Sequence, residues 1–298
     1  MINKKNCFYI LAVGVLLTVL VVMLASCSVR EEGTGALVTY TEQVLVPDGE
    51  VERLVISLDD HDVEIEYGDE FSIKYPEMKT LFDKPVNRIT VTEQAGTLTL
   101  RERMMWYGQL IAFNTPKVTV TLKRGAPCDL SLDADNADVI VRGAEQSALG
   151  NLSLEVDNGD VILYDTFAKR IDVELDNGAV TLARVYAQET IFTGIDNGNI
   201  RLEDAVVAKT LSFEIDNGSV ASDCDVDADR IGIEIDNGDI RLSLLGGRAD
   251  YAVTLKHDNG DSNIARSTVG DRSLALELDN GDIFIYFSEE QSAEAAGK

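Results

Sequence analysis

The chain contains 298 residues, of which 45% are hydrophobic and 6% aromatic, and its formal net charge is −26. The hydrophobic share is enough for a folded core, and the length fits one elongated domain or two smaller ones. The acidic excess argues against binding of nucleic acid or anionic lipid through a basic face, because neutralising phosphates needs clustered Lys and Arg.

Residues 1–26 are predicted to be a signal peptide or a membrane anchor. Lys4 and Lys5 precede an apolar run, residues 8–25, which is excluded from the fold. The run ends in Leu-Ala-Ser-Cys, which resembles a bacterial lipobox, where Cys27 is lipidated and becomes the mature N-terminus. An uncleaved single-pass anchor is the alternative. In both cases the lysines favour a cytoplasmic N-terminus, so we expect the rest of the chain on the extracytoplasmic side of the cell membrane.

Residues 27–36 are predicted to be a flexible tether, and residues 37–126 to form degenerate β-rungs and a cap. Alternating apolar residues flank turns at 59–62 and 93–96, and a further strand is predicted over 118–122. We interpret these segments as two or three irregular copies of the repeat that follows. Such copies cap one end of a stacked core.

Residues 104–113 interrupt these strands with an apolar stretch that contains the sole Trp of the chain. One interpretation is a flap that packs over the core. The other is an exposed surface for a protein partner or the nearby membrane, with Trp106, Tyr107 and Phe113 as candidate contact residues.

Residues 127–288 contain a repeat marked by Asp-Asn-Gly. The tripeptide begins at Asp157, Asp176, Asp196, Asp216, Asp236, Asp258 and Asp279, and a degenerate copy begins at Asp135. An interval near 20 residues is typical of a stacked repeat architecture. Apolar residues alternate with polar ones on both sides of each tripeptide, which predicts strand, tight turn, strand. One repeat cannot cover its own apolar face, so the predicted fold class is an all-β parallel β-solenoid, or β-helix.

A rival geometry uses the same pattern. Asn-Gly between alternating strands is also a strong hairpin signal, so an antiparallel sheet or sandwich is the main alternative. An outer-membrane barrel is a third, although such barrels need aromatic girdles and an apolar outer band. The outward positions of this chain are mostly Glu, Asp, Arg and Ser.

The stacked arrangement gives the turn residues a structural role. The asparagines would align in a column and hydrogen-bond along it, and each glycine would supply the backbone conformation of the turn. These turn residues are Asn158, Gly159, Asn177, Gly178, Asn197, Gly198, Asn217, Gly218, Asn237, Gly238, Asn259, Gly260, Asn280 and Gly281. Ala137 replaces glycine in the degenerate copy, which predicts a different turn there.

Stacking also brings aspartates together. Two carboxylates about 4.8 Å apart repel by roughly 1 kcal/mol in water, so they must be solvated, hydrogen-bonded to backbone N–H groups, or bridged by cations. The densest set is Asp236, Asp239, Asp258, Asp261, Asp279 and Asp282. Oxygen ligands suit Ca²⁺. The sequence lacks the nonapeptide motif of calcium-binding β-rolls, so we favour solvated or hydrogen-bonded aspartates over a calcium site.

Nucleophilic chemistry is not predicted. His257 and Ser262 flank one tripeptide, and with Asp258 they suggest a hydrolase triad, but a local irregularity is favoured because this interval is 22 residues long. Cys128 and Cys224 would lie several rungs apart, too far for a disulfide, and no cysteine has zinc-site spacing. We therefore assign no catalytic residues.

The chain resembles the bacterial DUF4097 family of β-strand repeat proteins, which are often labelled putative adhesins and are related to head-GIN-type domains. The resemblance rests on the leader, the early degenerate strands, residues 115–122, and turns such as those after Gly159 and Gly238. It covers residues 37–288. It implies a parallel β-solenoid exported to the envelope, with no established activity.

The sequence thus favours a non-enzymatic, membrane-attached β-solenoid that acts as an adhesive, binding or scaffolding module for a protein or glycan. One alternative is a carbohydrate-active enzyme, a lyase or hydrolase with carboxylates on one face. Another is a structural or regulatory envelope component whose partner docks at residues 104–113. Residues 289–298 are predicted to be a polar tail.

Overall fold

The computed structural model describes residues 34–35, 38–108, 116–143 and 148–291. Almost all of its regular structure is β, because alternating apolar and polar residues turn one face of each strand to the interior. The strands are β1 (Thr34–Gly35), β2 (Val38–Leu45), β3 (Arg53–Leu58), β4 (Val63–Gly68), β5 (Ser72–Thr80), β6 (Asn87–Gln94), β7 (Thr97–Met104), β8 (Val118–Lys123), β9 (Asp129–Asn136), β10 (Val139–Arg142), β11 (Leu149–Asn158), β12 (Val161–Tyr164), β13 (Phe167–Asn217), β14 (Val220–Asn237), β15 (Ile240–Leu244), β16 (Tyr251–Asn259), β17 (Arg272–Asn280) and β18 (Ile283–Phe287). A 3₁₀ turn, Arg248–Asp250, lies between β15 and β16.

Several sequence predictions concern residues outside this description. They are the leader, the lipidation site Cys27, the candidate contact residue Phe113, and the part of the polar tail beyond Gln291. Within the described ranges, no helix is long and apolar enough to cross a membrane.

The repeats pair in parallel and in register. Before the turn, Leu152 of β11 lies beside Leu130 of β9 and Ile171 of β13. After the turn, Val161 of β12 lies beside Val139 and Val180. We call the stacked strands before the turn the first ladder (β3, β7, β9, β11, β16, β17 and parts of β13 and β14) and those after it the second ladder. The antiparallel alternative is therefore wrong for the repeats, and the fold is all-β with a large, mostly parallel sheet.

The backbone explains why Asn-Gly does not form a hairpin here. A two-residue type I′ hairpin needs positive φ at both central residues. In the Asn-Gly turns no asparagine has positive φ, and among the glycines φ is, for example, 144° at Gly159 and 147° at Gly178. By contrast, Ala95 and Gly96 have φ of 49° and 74°, and they join β6 to β7 as an antiparallel hairpin. Our prediction of a stacked rung with its turn at 93–96 is therefore wrong.

One continuous core runs through the stack. Its buried residues are mainly Leu, Ile and Val from the inward positions of both ladders, and they extend from Leu54 to Phe287. Each fully buried side chain of this kind contributes roughly 1.5–3 kcal/mol. Both described cysteines are free thiols, Cys128 within the core and Cys224 beside it.

The order of rungs in space differs from their order in the chain at both ends. β3 and β4 lie between β9–β10 on one side and β7–β8 on the other. β17 and β18 are inserted next to β14 and β15, so β16 is the terminal strand of the first ladder. The stack therefore ends in β7 and β8 on one side, and its first ladder ends in β16 on the other.

Residues 261–272 cover the exposed edges at the β16 end. The Asn263 amide accepts a hydrogen bond from the Ile285 N–H and donates one to the Ile285 carbonyl, both at 2.8 Å. The backbone of Ser267 exchanges two hydrogen bonds with Val253, and Arg266 donates to the Leu255 carbonyl. This segment satisfies edge groups that no further rung would pair, so the chain between Asp258 and Asp279 closes the end of the stack.

Candidate functional site

The turn asparagines form an unbroken ladder on the surface. Each side-chain amide donates to the side-chain oxygen of the neighbouring asparagine, at 3.0–3.3 Å, in the spatial order 136, 158, 177, 197, 217, 237, 280, 259. At the N-terminal end the Asn136 amide donates to the Asp60 carboxylate at 2.9 Å. The amides therefore tie every turn of the repeat to the next.

Close backbone approach makes glycine necessary beside this ladder. A Cβ added to Gly178 would lie 1.8 Å from the Gly159 carbonyl oxygen, and one added to Gly238 would lie 1.6 Å from that of Gly218. No side chain fits at such distances. Neither Ala137 nor Gly198 is among the residues with positive φ, so this feature does not distinguish the first turn from all the others.

The residue after each glycine forms a second hydrogen-bonded column. Asp138 accepts from the Asp160 N–H at 2.8 Å, and Asp239 accepts from the Asp282 N–H at 3.0 Å. Asp282 in turn accepts from the Asp261 N–H at 2.9 Å. Two of the calcium candidates are therefore occupied by backbone donors. Across the described ranges, no group of three or more His, Cys, Asp or Glu side chains could hold a metal ion.

Outward carboxylates form a row along the first ladder, which we call the acidic row. Its members occupy one register position along the ladder: Asp133, Glu155, Glu174, Glu214, Glu234 and Glu277. Gly194 takes that position in the rung between Glu174 and Glu214. The carboxylate of Asp133 raises the pKa of Glu155, with burial and Glu174 adding to the effect. At the terminal rung Lys256 lies 2.6 Å from Glu277, so the row ends in an ion pair.

The corner after the second ladder holds residues that the sequence analysis missed. Asp165, Arg184 and Asp204 all have positive φ, 50°, 53° and 61°, although none is glycine. The Arg184 guanidinium pairs with both carboxylates and lies 4.0 Å from the centre of the Tyr164 ring. These contacts hold a strained corner in place. Their spacing of 19 and 20 residues was the signal that could have revealed them.

His61 belongs to a buried ion pair in the N-terminal region. Its Nδ1 lies 2.7 Å from the Pro116 carbonyl and its Nε2 lies 2.9 Å from Glu102, with both side chains fully buried. Burial tends to raise the pKa of Glu102, but hydrogen bonds and charge from His61, with a bond from Asn87, outweigh it and lower that pKa. This closed pair is structural.

The residues of the suggested triad do not act together. A Ser-His-Asp relay would need a histidine nitrogen facing the serine hydroxyl, whereas His257 Nε2 lies 2.8 Å from the Gly281 carbonyl. Ser262 Oγ instead donates to the Ile264 carbonyl at 3.2 Å. Both side chains are engaged by backbone groups at the end of the stack.

An open cleft of about 690 Å³ lies beside β8 in the N-terminal region. Phe71, Leu122 and Cys128 contribute apolar lining, and acidic side chains such as Glu50 and Asp69 contribute polar lining. Burial, followed by the charge of Asp129, raises the pKa of Cys128 to about 11. The thiol therefore stays protonated near neutral pH, which does not suit a nucleophile.

The apolar stretch that begins at Met104 is divided by the structure. Met104 is buried, whereas Trp106 is 77% exposed and contacts Tyr107 edge-on at 5.6 Å. Tyr107 donates a hydrogen bond to the Pro85 carbonyl at 2.6 Å. Met104 thus packs in a small buried cluster with Val38, Met78 and Val86, Trp106 faces solvent, and residues 109–113 lie outside the described ranges.

A family model described as Toastrack DUF4097 matches residues 51–281. The chain is also similar to a putative adhesin of known crystal structure from Bacteroides fragilis, with 12% identity, a TM-score of 0.45, and coverage of 84% of this chain and 97% of that one. It is similar to a putative adhesin from Parabacteroides distasonis, with 12% identity, a TM-score of 0.43, and coverage of 85% of this chain and 98% of that one. It is also similar to a putative cell adhesion protein from Clostridium sporogenes, with 12% identity, a TM-score of 0.28, and coverage of 84% of this chain and 100% of that one. No curated protein matches the chain.

Proposed function

The chain belongs to the Toastrack DUF4097 family, and on this premise we propose that it is a parallel β-solenoid acting as a non-enzymatic binding module of the cell envelope. In this proposal it has an adhesive or scaffolding role toward a protein or glycan. The regular repeats supply a rigid lateral surface, and the N-terminal region closes the end of the core nearest the membrane anchor.

The observation that carries the proposal is the unbroken asparagine ladder. Eight asparagines follow one another from Asn136 to Asn259. Seven intervals of about 4.8 Å give a straight surface roughly 34 Å long. Outward side chains therefore stand in rows at a constant spacing, an arrangement suited to a partner with a similarly extended or repetitive surface.

The contacts of the two histidines favour a binding role over a hydrolase or lyase. The two histidines of the chain are His61 and His257. The first is fully buried against Glu102 and the second faces a backbone carbonyl. The acidic row, by contrast, consists of solvent-facing carboxylates on both sides of Gly194, which a cationic partner would recognise.

Attachment to the membrane is part of the same proposal. Cys27 would carry the lipid, with an uncleaved single-pass helix as the alternative, and the solenoid would lie on the extracytoplasmic side. Incorporation of labelled palmitate into the full chain, and its loss in Cys27→Ser, would separate the two anchors. Unchanged membrane attachment in Cys27→Ser, without labelling of the parent chain, would favour the helix.

The binding role is tested by capture of the full chain on immobilised amine-bearing glycans and lysine-rich peptides. The test variant neutralises four members of the acidic row, Glu155, Glu174, Glu214 and Glu234, by substitution with Gln. The matched control changes four exposed glutamates elsewhere, Glu42, Glu70, Glu93 and Glu290, to Gln. We expect at least tenfold weaker capture for the test variant only, with strong salt dependence in the parent. Equal capture by both variants would contradict the proposal.

A further inference from the structure

Large apolar side chains are exposed at two loop tips of the N-terminal region. Leu81 is 60% exposed and Phe82 is 87% exposed in the turn between β5 and β6, and Trp106 is 77% exposed after β7. The two tips are joined, because the Met105 N–H donates to the Val86 carbonyl at 2.9 Å and Tyr107 bonds to Pro85. They form one surface, which we call the tip surface. Exposed apolar side chains grouped in this way are typical of a site that contacts a partner or a membrane.

The first tip is held outward by its own hydrogen bonds. Thr80 Oγ1 accepts from the N–H groups of Phe82 and Lys84, at 3.3 and 3.2 Å, and the Thr80 N–H donates to the Lys84 carbonyl at 2.8 Å. Asp83 has a φ of 60° and pairs with Lys79 at 3.0 Å. Leu81 and Phe82 are therefore presented to solvent by an ordered turn, with the one tip carboxylate neutralised.

Two arginines of like charge stand beside the tips. Arg88 and Arg103 lie directly opposite each other on the β6–β7 ladder, two residues from Val86 and Met105 respectively. Both are exposed, and within the described ranges neither forms an ion pair with a carboxylate. Like charges directly opposite each other destabilise a β-ladder. The net charge of −26 conceals this local basic pair.

The first described residues of the chain, Thr34 and Gly35, lie close to this surface. β1 pairs with the start of β2, and there Val38 and Thr39 pair with Thr80 and Lys79 of β5. Thr34 thus lies beside β2, which separates it from the β5 strand that leads into the first tip. Cys27 precedes it by seven residues, which span at most about 25 Å when extended. A lipid on Cys27 would hold the tip surface close to the bilayer.

We propose that the tip surface is a membrane-contact site for a bilayer with anionic headgroups. Leu81, Phe82 and Trp106 enter the interfacial layer, where aromatic side chains are favoured, and Arg88 and Arg103 contact lipid phosphates. The contact fixes the orientation of the stack relative to the membrane. This inference rests on the proposed membrane attachment, and it goes beyond it because a tether alone would leave the orientation free.

Trp106 is the sole tryptophan of the chain, so its fluorescence reports on the tip surface alone. The full chain is reconstituted into vesicles of phosphatidylcholine, with or without one third phosphatidylglycerol, and quenched by brominated acyl chains. We expect a blue shift of emission and at least twofold stronger quenching with phosphatidylglycerol. Absent quenching in vesicles that carry the protein would overturn the proposal, and equal quenching in both compositions would overturn its anionic-headgroup part.

Variants separate a specific surface from general attraction. Arg88→Glu with Arg103→Glu is compared with Arg230→Glu and Arg248→Glu, two exposed arginines of the repeat region. Only the first pair should abolish the added quenching, and equal loss in both would overturn the proposal.

Phe82→Ser is compared with Val269→Ser at the other end of the chain, with circular dichroism checking the fold of each. Capture by the acidic row should survive Phe82→Ser, so failure of the tip surface is distinguishable from failure of the binding role.

Discussion

The repeat region, residues 127–288, and the N-terminal region, residues 38–126, are stabilised in different ways. In the repeats each rung meets the same contacts as its neighbours, with an asparagine amide, a close glycine and an aliphatic interior. The N-terminal region uses contacts that occur once, including the antiparallel β6–β7 hairpin and the buried His61–Glu102 pair. Repetition spreads stability over many small terms, whereas the N-terminal region depends on a few large ones. It is also where the cleft and the exposed tips lie.

The largest effect is expected from separating the buried pair. Glu102→Leu leaves the buried His61 and Asn87 side chains without their carboxylate partner, and removing one member of a buried pair costs about 3–5 kcal/mol. Urea unfolding of the full chain measures the loss. The double variant His61→Leu, Glu102→Leu should recover much of it, because no buried charge is then left unpaired. Glu189→Leu in the repeats breaks the exposed pair with Arg170 and should change stability far less; equal losses would remove the contrast between the regions.

A somewhat smaller loss is expected from adding one methyl group to the glycine column. Gly238→Ala places Cβ 1.6 Å from the Gly218 carbonyl oxygen, so the rungs must move apart. We expect a loss of about 3 kcal/mol. Gly232→Ala is the matched control in the same rung, because its nearest neighbour would be Ser212 Oγ at 3.8 Å. Thermal unfolding compares the two, and similar melting temperatures would show that the rungs are not packed this closely.

Lowering the pH should destabilise the N-terminal region and stabilise the repeats. The folded pKa of Glu102 is below its ordinary value of 4.5, so its contribution is present above that value and is lost as the pH falls toward the folded pKa. The pKa of Glu155 is raised, chiefly by Asp133, and that of Asp135 is raised by burial and then by Asp59 and Asp157. Protonation of these two carboxyls relieves repulsion, so the repeats gain stability as the pH falls through their folded pKa values.

Hydrogen exchange at pH 7, 5 and 4, corrected for intrinsic rates, resolves the two responses. Amides of β3 and β7 should lose protection below about pH 4.5, the ordinary pKa of Glu102, while those of β9 and β11 keep or gain it. Parallel loss of protection in all four strands would contradict the opposite signs.

The smallest effect is expected within the asparagine ladder. Asn197→Ala removes one amide donor to Asn177 and one acceptor for Asn217, at 3.3 and 3.2 Å, from an exposed position. The expected loss of stability is about 1 kcal/mol. Asn259→Ala, at the end of the ladder, has a single asparagine neighbour and should cost less. If the terminal substitution proved the more harmful one, the ladder would not be the source of the effect.

Local pattern carried most of the information about the repeats. Alternation with period two indicated half-buried strands, and the constant interval placed asparagines above one another, because each rung needs a neighbour to cover its apolar face. The same reasoning failed in the N-terminal region. There Glu-Gln-Ala-Gly at residues 93–96 resembled a degenerate turn of the repeat, but positive φ at both Ala95 and Gly96 made a hairpin.

The sequence by itself determined the all-β class, the period and the residues that line the interior. Only the tertiary structure decided that β3–β4 and β17–β18 are inserted out of chain order, that His61 is buried, and that Trp106 is exposed. The physical reason is that every alternating strand offers the same aliphatic face and the same backbone donors and acceptors. Such strands fit almost any place in a parallel ladder, so their order at the ends depends on contacts between segments far apart in the chain.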